Sequence, residues 1–455
     1  MENRPDINHD LDDFSLTRVP MSARYSWLSV AMQRFGQLSC LSQFMVGALL
    51  GYGMTFKDAF LALTLGAVIL EIVSIFVGIA GQREGMNTAM LARWTGFGRH
   101  GSSLLSLVVA VSLVGWFAVQ NAIFASGMQS LAGGLPFWGW AVACGLAVTL
   151  VVTFGFSAMA WFAYVTVPAF LVLAGWSIAS VLTTHSLQSL IDSPAPGPAL
   201  SLTAGATMVA GSFIIGAVVT PDMSRFNRSA FDVVKQTVVS ITFGEYLVGL
   251  IGVLLAHAVG SADVVKIIVT TTSFVGIIIL VASTGKINDW NLYSASLGVV
   301  NFFQSVFGIS VGRTTATLVI GACGTLLSLW GGLQQFTAFL IVLGVAIPPV
   351  GGIMIVDYFV LRRQRALLDR SAIRGAVPDA SETWNLAGLL SWAIGFLVGF
   401  YISVGIPSIN ALCAAGLSYW LIQGVLAPCY AKLTSRTPKG DGDIQTSTNS
   451  SFNKD

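Results

Sequence analysis

The chain has 455 residues, 55% of them hydrophobic and only 10% charged, with a formal net charge of +2. Such a balance excludes an ordinary water-soluble globular protein, and it points to lipid as the surrounding solvent. Apolar stretches long enough to cross a hydrocarbon core of roughly 30 Å recur between residues 26 and 430, without the alternation of a membrane β-barrel.

An all-α integral membrane protein of about twelve spans is therefore expected, because a helix satisfies its own backbone in lipid. A polar tail over residues 1–25 comes first and lacks the basic-then-apolar order of a cleaved signal, so the first span is expected to direct insertion. Spans are predicted at about 27–54, 57–81, 102–130, 135–155 and 157–183, then at 203–221, 234–259, 268–303, 314–331 and 333–360. Two more follow at about 384–405 and 407–430, and residues 432–455, rich in Ser, Thr, Asp and Gly, are expected to be a disordered tail.

Arginines collect after alternate spans: Arg83, Arg93 and Arg99; Arg225 and Arg228; Arg313; and Arg362, Arg363, Arg365, Arg370 and Arg374. The opposite loops hold little beyond Lys57 and Lys266. By the bias of positive charge toward the cytoplasm, both termini are expected there, in a multi-pass protein of the cell inner membrane. The five cysteines stand singly in apolar segments and suggest neither disulfides nor a metal cluster.

Polar and glycine residues interrupt two spans: Gly36, Gln37, Ser39, Ser42 and Gln43 in the first, and Gly205, Gly211, Ser212 and Gly216 in the sixth. Broken helices five spans apart are the mark of an inverted-repeat transporter with a midplane site between the breaks. The alternative is that these glycines only let helices pack closely.

In VGWFAVQN, residues 114–121, Trp116 and Gln120 lie one turn apart on one helix face, so a planar ring could stack on the indole while the amide reads its edge. The competing role for Trp116 is packing or interfacial anchoring. The sixth span reads AGSFIIGAVVTPDMSRFNR, residues 210–228, with Phe213 among the glycines. Asp222 and Arg225 near its end are expected to form a loop salt bridge rather than to touch substrate.

With NDWNLYSASLG at 288–298 and IPPVGGIMIVDY at 347–358, these motifs make the chain, from Ser29 to Arg363, resemble the nucleobase-cation symporter family 1, in its cytosine permease branch. The resemblance implies a leucine-transporter-like fold: two inverted five-helix repeats, here 26–183 and 201–360, plus two helices over 384–430. It also implies a ring held between Trp116 and Phe213 and read by Asn288, Gln120 and Gln43. Gln120 and Ile215 depart from the small residue and the serine of cytosine permeases at those positions, which puts cytosine itself in question.

Sodium-coupled members place hydroxyl residues in the eighth span just before the asparagine matched by Asn288, where this chain has Lys286 and Ile287. An isoleucine cannot ligate sodium, and an ammonium there would repel it. Proton coupling is the expected substitute, with Lys286, Asp289, Glu245 and Glu71 as candidates, since ionisable groups within a membrane are functional by default. A fixed ion pair, or Lys286 snorkelling to a surface, is the alternative.

These residues describe a secondary active transporter importing a nucleobase, purine, uracil, hydantoin or allantoin type of ring by alternating access. The rival readings are an amino-acid or other small-metabolite transporter of the same fold and a sensor that binds without transport. No P-loop, HExxH helix or paired-cysteine motif is present, so neither ATP-driven transport, cofactor chemistry nor enzymatic activity is expected, and no nucleic-acid partner is expected either.

Overall fold

In a computed structural model of the chain, the structure describes residues 14, 17–38, 41–154, 156–330 and 335–427, with residues 154, 156–167 and 286 described by their backbone alone. The expected tails at 1–25 and 432–455 fall outside this range apart from residues 14 and 17–25, and so do Ser39 and Cys40 in the first span.

The first span is placed as α1 (Trp27–Leu38) and α2 (Leu41–Gly53) on either side of residues 39–40. It is followed by α3 (Phe56–Glu84), the short α4 (Thr88–Trp94), α5 (Gly98–Ala132), α6 (Phe137–Phe154) and α7 (Phe156–Leu182). After the short α8 (Leu187–Ile191), a second set runs through α9 (Leu202–Val218), the short α10 (Pro221–Ser224), α11 (Ala230–Val259), α12 (Val264–Phe307) and α13 (Arg313–Leu329). It ends in α14 (Phe336–Ala346) and α15 (Pro348–Ile355), which passes into a π-helical turn over Val356–Leu361. The loop helix α16 (Arg365–Ile373) leads to α17 (Leu386–Tyr401) and α18 (Pro407–Trp420). Among the described residues, seven helices are long and apolar enough to cross a membrane, and four more are apolar but shorter.

Local chemistry sets the helix ends. Thr55, Ser201, Ser229 and Asp263 each accept a hydrogen bond from a backbone N–H of the first turn of α3, α9, α11 and α12. Gly85 and Gly260 close α3 and α11 in the left-handed conformation, which glycine adopts without strain. Within α12, Ser273 is non-helical at φ 56°, so the predicted single eighth span is a short helix joined at a kink to a long one.

The sixth span differs from expectation. α9 runs unbroken through Gly205, Gly211, Ser212 and Gly216, and the chain turns only after Val218. Its glycines serve close approach: a Cβ on Gly211 would collide with the carbonyl of Leu340 on α14, and one on Gly205 would lie 3.0 Å from Met54 Sδ. α2 and α11 meet in the same way, where a Cβ on Gly51 would stand 2.5 Å from the carbonyl oxygen of Val253. Lipid offers no water to compete for backbone groups, so glycine in such a helix permits contact without breaking it.

One end of the bundle is tied by charge. Arg18 donates to both the backbone carbonyl and the carboxylate of Glu84, at 2.6 and 2.8 Å, and to Ser371 Oγ at 2.7 Å. The hydroxyl of Tyr358 donates to the other Glu84 oxygen at 2.6 Å, and that of Tyr419 donates to Asp357 at 2.6 Å. Asp357 and Tyr358, which end the IPPVGGIMIVDY motif, thus fasten α15 to α3 and α18. Asp222 accepts from the backbone N–H of Thr88 at 2.7 Å, while Arg225 donates to the backbone carbonyls of Asp222 and Phe14, at 3.1 and 2.8 Å. At the other end both ring nitrogens of His257 face carbonyls, of Leu190 and Met54, at 2.8 and 3.0 Å.

Candidate substrate site

α5 packs along α12, and their contact carries the first group of predicted residues. Trp116 is 7% exposed, and its indole meets Phe336 and Phe339 of α14 edge-on, with centroids 5.7 and 5.5 Å apart. One turn on, Gln120 is fully buried, and neither its Nε2 nor its Oε1 has a hydrogen-bond partner. Asn288 of α12 donates from Nδ2 to the carbonyl of Phe117 at 3.2 Å, which sets it against the same turn of α5, and its Oδ1 is also buried and unpartnered. Three amide atoms without partners beside an indole are costly unless something supplies them, at about 1–3 kcal/mol for each group. A flat ring with N–H and C=O groups on its edge has the matching chemistry.

Neighbouring Asn121 behaves differently, donating to the carbonyl of Ala141 and to Ser328 Oγ, both at 2.9 Å, and so tying α5 to α6 and α13. Side by side in the sequence, Gln120 leaves both amide atoms unpartnered, while Asn121 fastens helices through its Nδ2 and leaves only its Oδ1 without a partner.

The second group gathers on α1, α2, α3, α9 and α11. Gln43 donates from Nε2 to a carboxylate oxygen of Glu245, and its Oε1 accepts from Ser212 Oγ of α9 at 3.3 Å. Glu71 accepts from Thr242 Oγ1 at 2.7 Å. Arg34, 1% exposed, donates to Ser74 Oγ at 2.7 Å and holds its guanidinium carbon 5.6 Å from the centre of the Phe213 ring. The ring contacts described for Trp116 are thus to α14, and Phe213 faces Arg34.

On α12, Asp289 is buried beside Asn288, and the side chain of Lys286 lies outside the described residues. Thr284 Oγ1 donates to the carbonyl of Leu280 at 2.7 Å, and Ser283 Oγ is buried without a partner. Sequence reasoning passed over Arg34, Ser74, Thr242, Ser283, Phe336 and Phe339. Arg34 alone had a signal: it is the only charged residue between Tyr25 and Phe56. The others are ordinary membrane-helix residues until their neighbours are known.

Residues 18–422 match the family described as "Permease for cytosine/purines, uracil, thiamine, allantoin". This chain belongs to that permease family. The cytosine permease of Escherichia coli strain K12 is 31% identical over 416 residues, covering 91% of this chain and 95% of that one. A hydantoin permease of Microbacterium maritypicum is 24% identical over 410 residues, covering 84% of this chain and 81% of that one. Among solved structures, the inward-facing conformation of Mhp1 superposes with a TM-score of 0.76 at 20% identity, covering 92% of this chain and 94% of that one. Mhp1, a nucleobase-cation-symport-1 family transporter, in a closed conformation with bromovinylhydantoin bound gives a TM-score of 0.72 at 20% identity, covering 92% and 96%. The fold is thus the leucine-transporter-like one, with two five-span repeats followed by α17 and α18. The permease is a multi-pass membrane transporter and not an enzyme.

Proposed function

We propose that this permease imports a flat heterocycle of the cytosine, purine, uracil, hydantoin or allantoin type by alternating access, driven by protons. The observation that carries the substrate class is the unpartnered amide of Gln120 with Asn288 Oδ1 beside Trp116. A carboxamide pairs at two points with an edge that offers one donor and one acceptor, while the indole covers the ring face. Phe213 and Gln43 complete the site from the sixth and first spans, and ring binding closes one pathway before the bundle rocks to open the other. The names of the relatives, cytosine permease and hydantoin permease, support the same class. The arginine-rich end, with both termini, faces the cytoplasm of the inner membrane.

Proton coupling is favoured by the intramembrane carboxylates Glu71 and Glu245, with Lys286 and Asp289 on α12 as further candidates. Sodium coupling is the second reading, and one observation favours it: the buried, unpartnered hydroxyl of Ser283, five residues before Asn288, is of a type that ligates sodium.

The test is uptake of radiolabelled cytosine, uracil, hypoxanthine, hydantoin and allantoin into proteoliposomes, under a proton gradient alone and a sodium gradient alone. Accumulation of one ring under the proton gradient is the expected result. Accumulation only under sodium would overturn the coupling and keep the substrate class, whereas failure of every ring under both gradients would overturn the class.

A further inference from the structure

The polar group joining α1, α3 and α11 contains one cation and two carboxylates, of which Arg34 and Glu245 are buried and Glu71 is partly buried. Arg34 is buried, and only its Nη2 is engaged, with Ser74 Oγ at 2.7 Å and the carbonyl of Gly216 at 3.5 Å; Nε and Nη1 have no partner. Glu245 is fully buried, with one oxygen taken by Gln43 and the other, Oε1, unpartnered. Glu71 links the two: it lies one turn before Ser74, the partner of Arg34, on α3, and it accepts from Thr242, one turn before Glu245 on α11.

Charge counting in a low dielectric then decides the protonation. With all three groups ionised the cluster carries one net negative charge, and two like charges that interact in such a place do not both persist. One bound proton makes the cluster neutral. We propose that Arg34 is the fixed counter-charge of a single-proton site shared by Glu71 and Glu245, and that this proton, carried on Glu245, is exchanged once in each transport cycle. This rests on the proton-coupled reading and deepens it.

Glu245 is the carrier because it is fully buried, whereas Glu71 is only partly buried and lies on the turn of α3 that Arg34 engages through Ser74. Glu245 also connects through Gln43 to Ser212, the neighbour of Phe213, so its proton is sensed where the ring binds. When the proton leaves Glu245 Oε1, the new negative charge calls on the two idle donors of Arg34. α1 carries those donors, so losing the proton draws α1 toward α11 and biases the helix arrangement.

Among the described residues, few other charges stand on the elements packed against the cluster. α2, α7, α8, α9 and α15, which also pack on α3 or α11, contain no Asp, Glu, Lys, Arg or His. Asp222 of α10 is held by the backbone N–H of Thr88, Arg93 lies on the loop helix α4, and His257 is at the far end of α11. α12 bears Lys266 near its start and Lys286 and Asp289 further along.

The experiment uses the full chain in proteoliposomes with radiolabelled cytosine and hydantoin, and reads the ratio of proton-driven accumulation to gradient-free counterflow. Arg34→Gln and Glu245→Gln are each expected to lower this ratio about tenfold or more, and Arg34→Lys to retain it. The double variant Arg34→Gln with Glu71→Gln restores the charge count and is expected to recover most of the loss. A wild-type ratio in either single glutamine variant, or a double variant no better than Arg34→Gln, would overturn the proposal.

A second measurement on the wild type avoids any folding defect in the variants: dye-reported proton movement per ring taken up in lightly buffered vesicles. About one proton per ring is expected, and two or none would overturn the assignment. Sodium-only accumulation in the wild type would remove the underlying coupling as well. Proton-driven accumulation that survives Glu245→Gln would remove only this assignment.

Discussion

Gln120 is a full carboxamide buried with both polar atoms unpartnered, whereas Asn121, the next residue, donates twice from Nδ2 to α6 and α13 and leaves only Oδ1 unpartnered. Opposite outcomes follow from removing them. Gln120→Leu is expected to leave the melting temperature of the ligand-free protein unchanged or higher, since it removes an unsatisfied group, while ring affinity falls about tenfold to a hundredfold. Asn121→Leu is expected to lower stability by about 1–3 kcal/mol through two lost bonds, with a smaller effect on affinity in whatever protein folds. Thermal unfolding in detergent with and without ring, together with binding isotherms, checks both. If Gln120→Leu keeps full affinity for every ring, the amide is not the reader.

At the scale of elements, glycine is a packing device where two backbones meet and a neutral placeholder where they do not. Gly211 of α9 sits against the carbonyl of Leu340, and Gly175 of α7 has nothing within 4 Å of where a Cβ would stand. Gly211→Val is therefore expected to lower the melting temperature markedly, because α9 and α14 must separate to admit it. Gly175→Ala is expected to be neutral or stabilising by up to about 1 kcal/mol, from helix propensity alone. Equal effects at the two sites would show that the α9–α14 contact is not tight. The glycines of the sixth span looked like a helix break in the sequence because glycine weakens isolated helices; the facing backbone of α14 gives them another purpose.

The whole molecule has one end laced by arginines and another where loops close over His257. On the proposed orientation, with the arginine-rich end in the cytoplasm, a membrane-impermeant thiol reagent applied to intact cells is expected to label His185→Cys, between α7 and α8, in a background lacking the five native cysteines. Arg374→Cys, exposed after α16, is expected to react only after permeabilisation. The reverse pattern would invert the topology and with it the direction of import.

What the sequence by itself determined is what depends on local stretches of chain. Hydrophobic length set the spans, which agree with α3, α5 and α11 to within a few residues, and the VGWF and IPPVGGIMIVDY runs carried the family. Trp116 and Gln120 were legible as candidates because they lie one turn apart on one helix face, and Asn288 only through the family resemblance. What only the tertiary structure decided is which face meets which across long separations. The link of Gln43 to Glu245 joins residues 202 positions apart, and Arg34 approaches Gly216 from 182 positions away. A lone arginine in an apolar span has the same sequence whether it snorkels or is buried. Only the burial of Arg34 near Glu71 turns three scattered ionisable residues into one cluster, because the interaction of charges depends on distance and dielectric rather than on order along the chain.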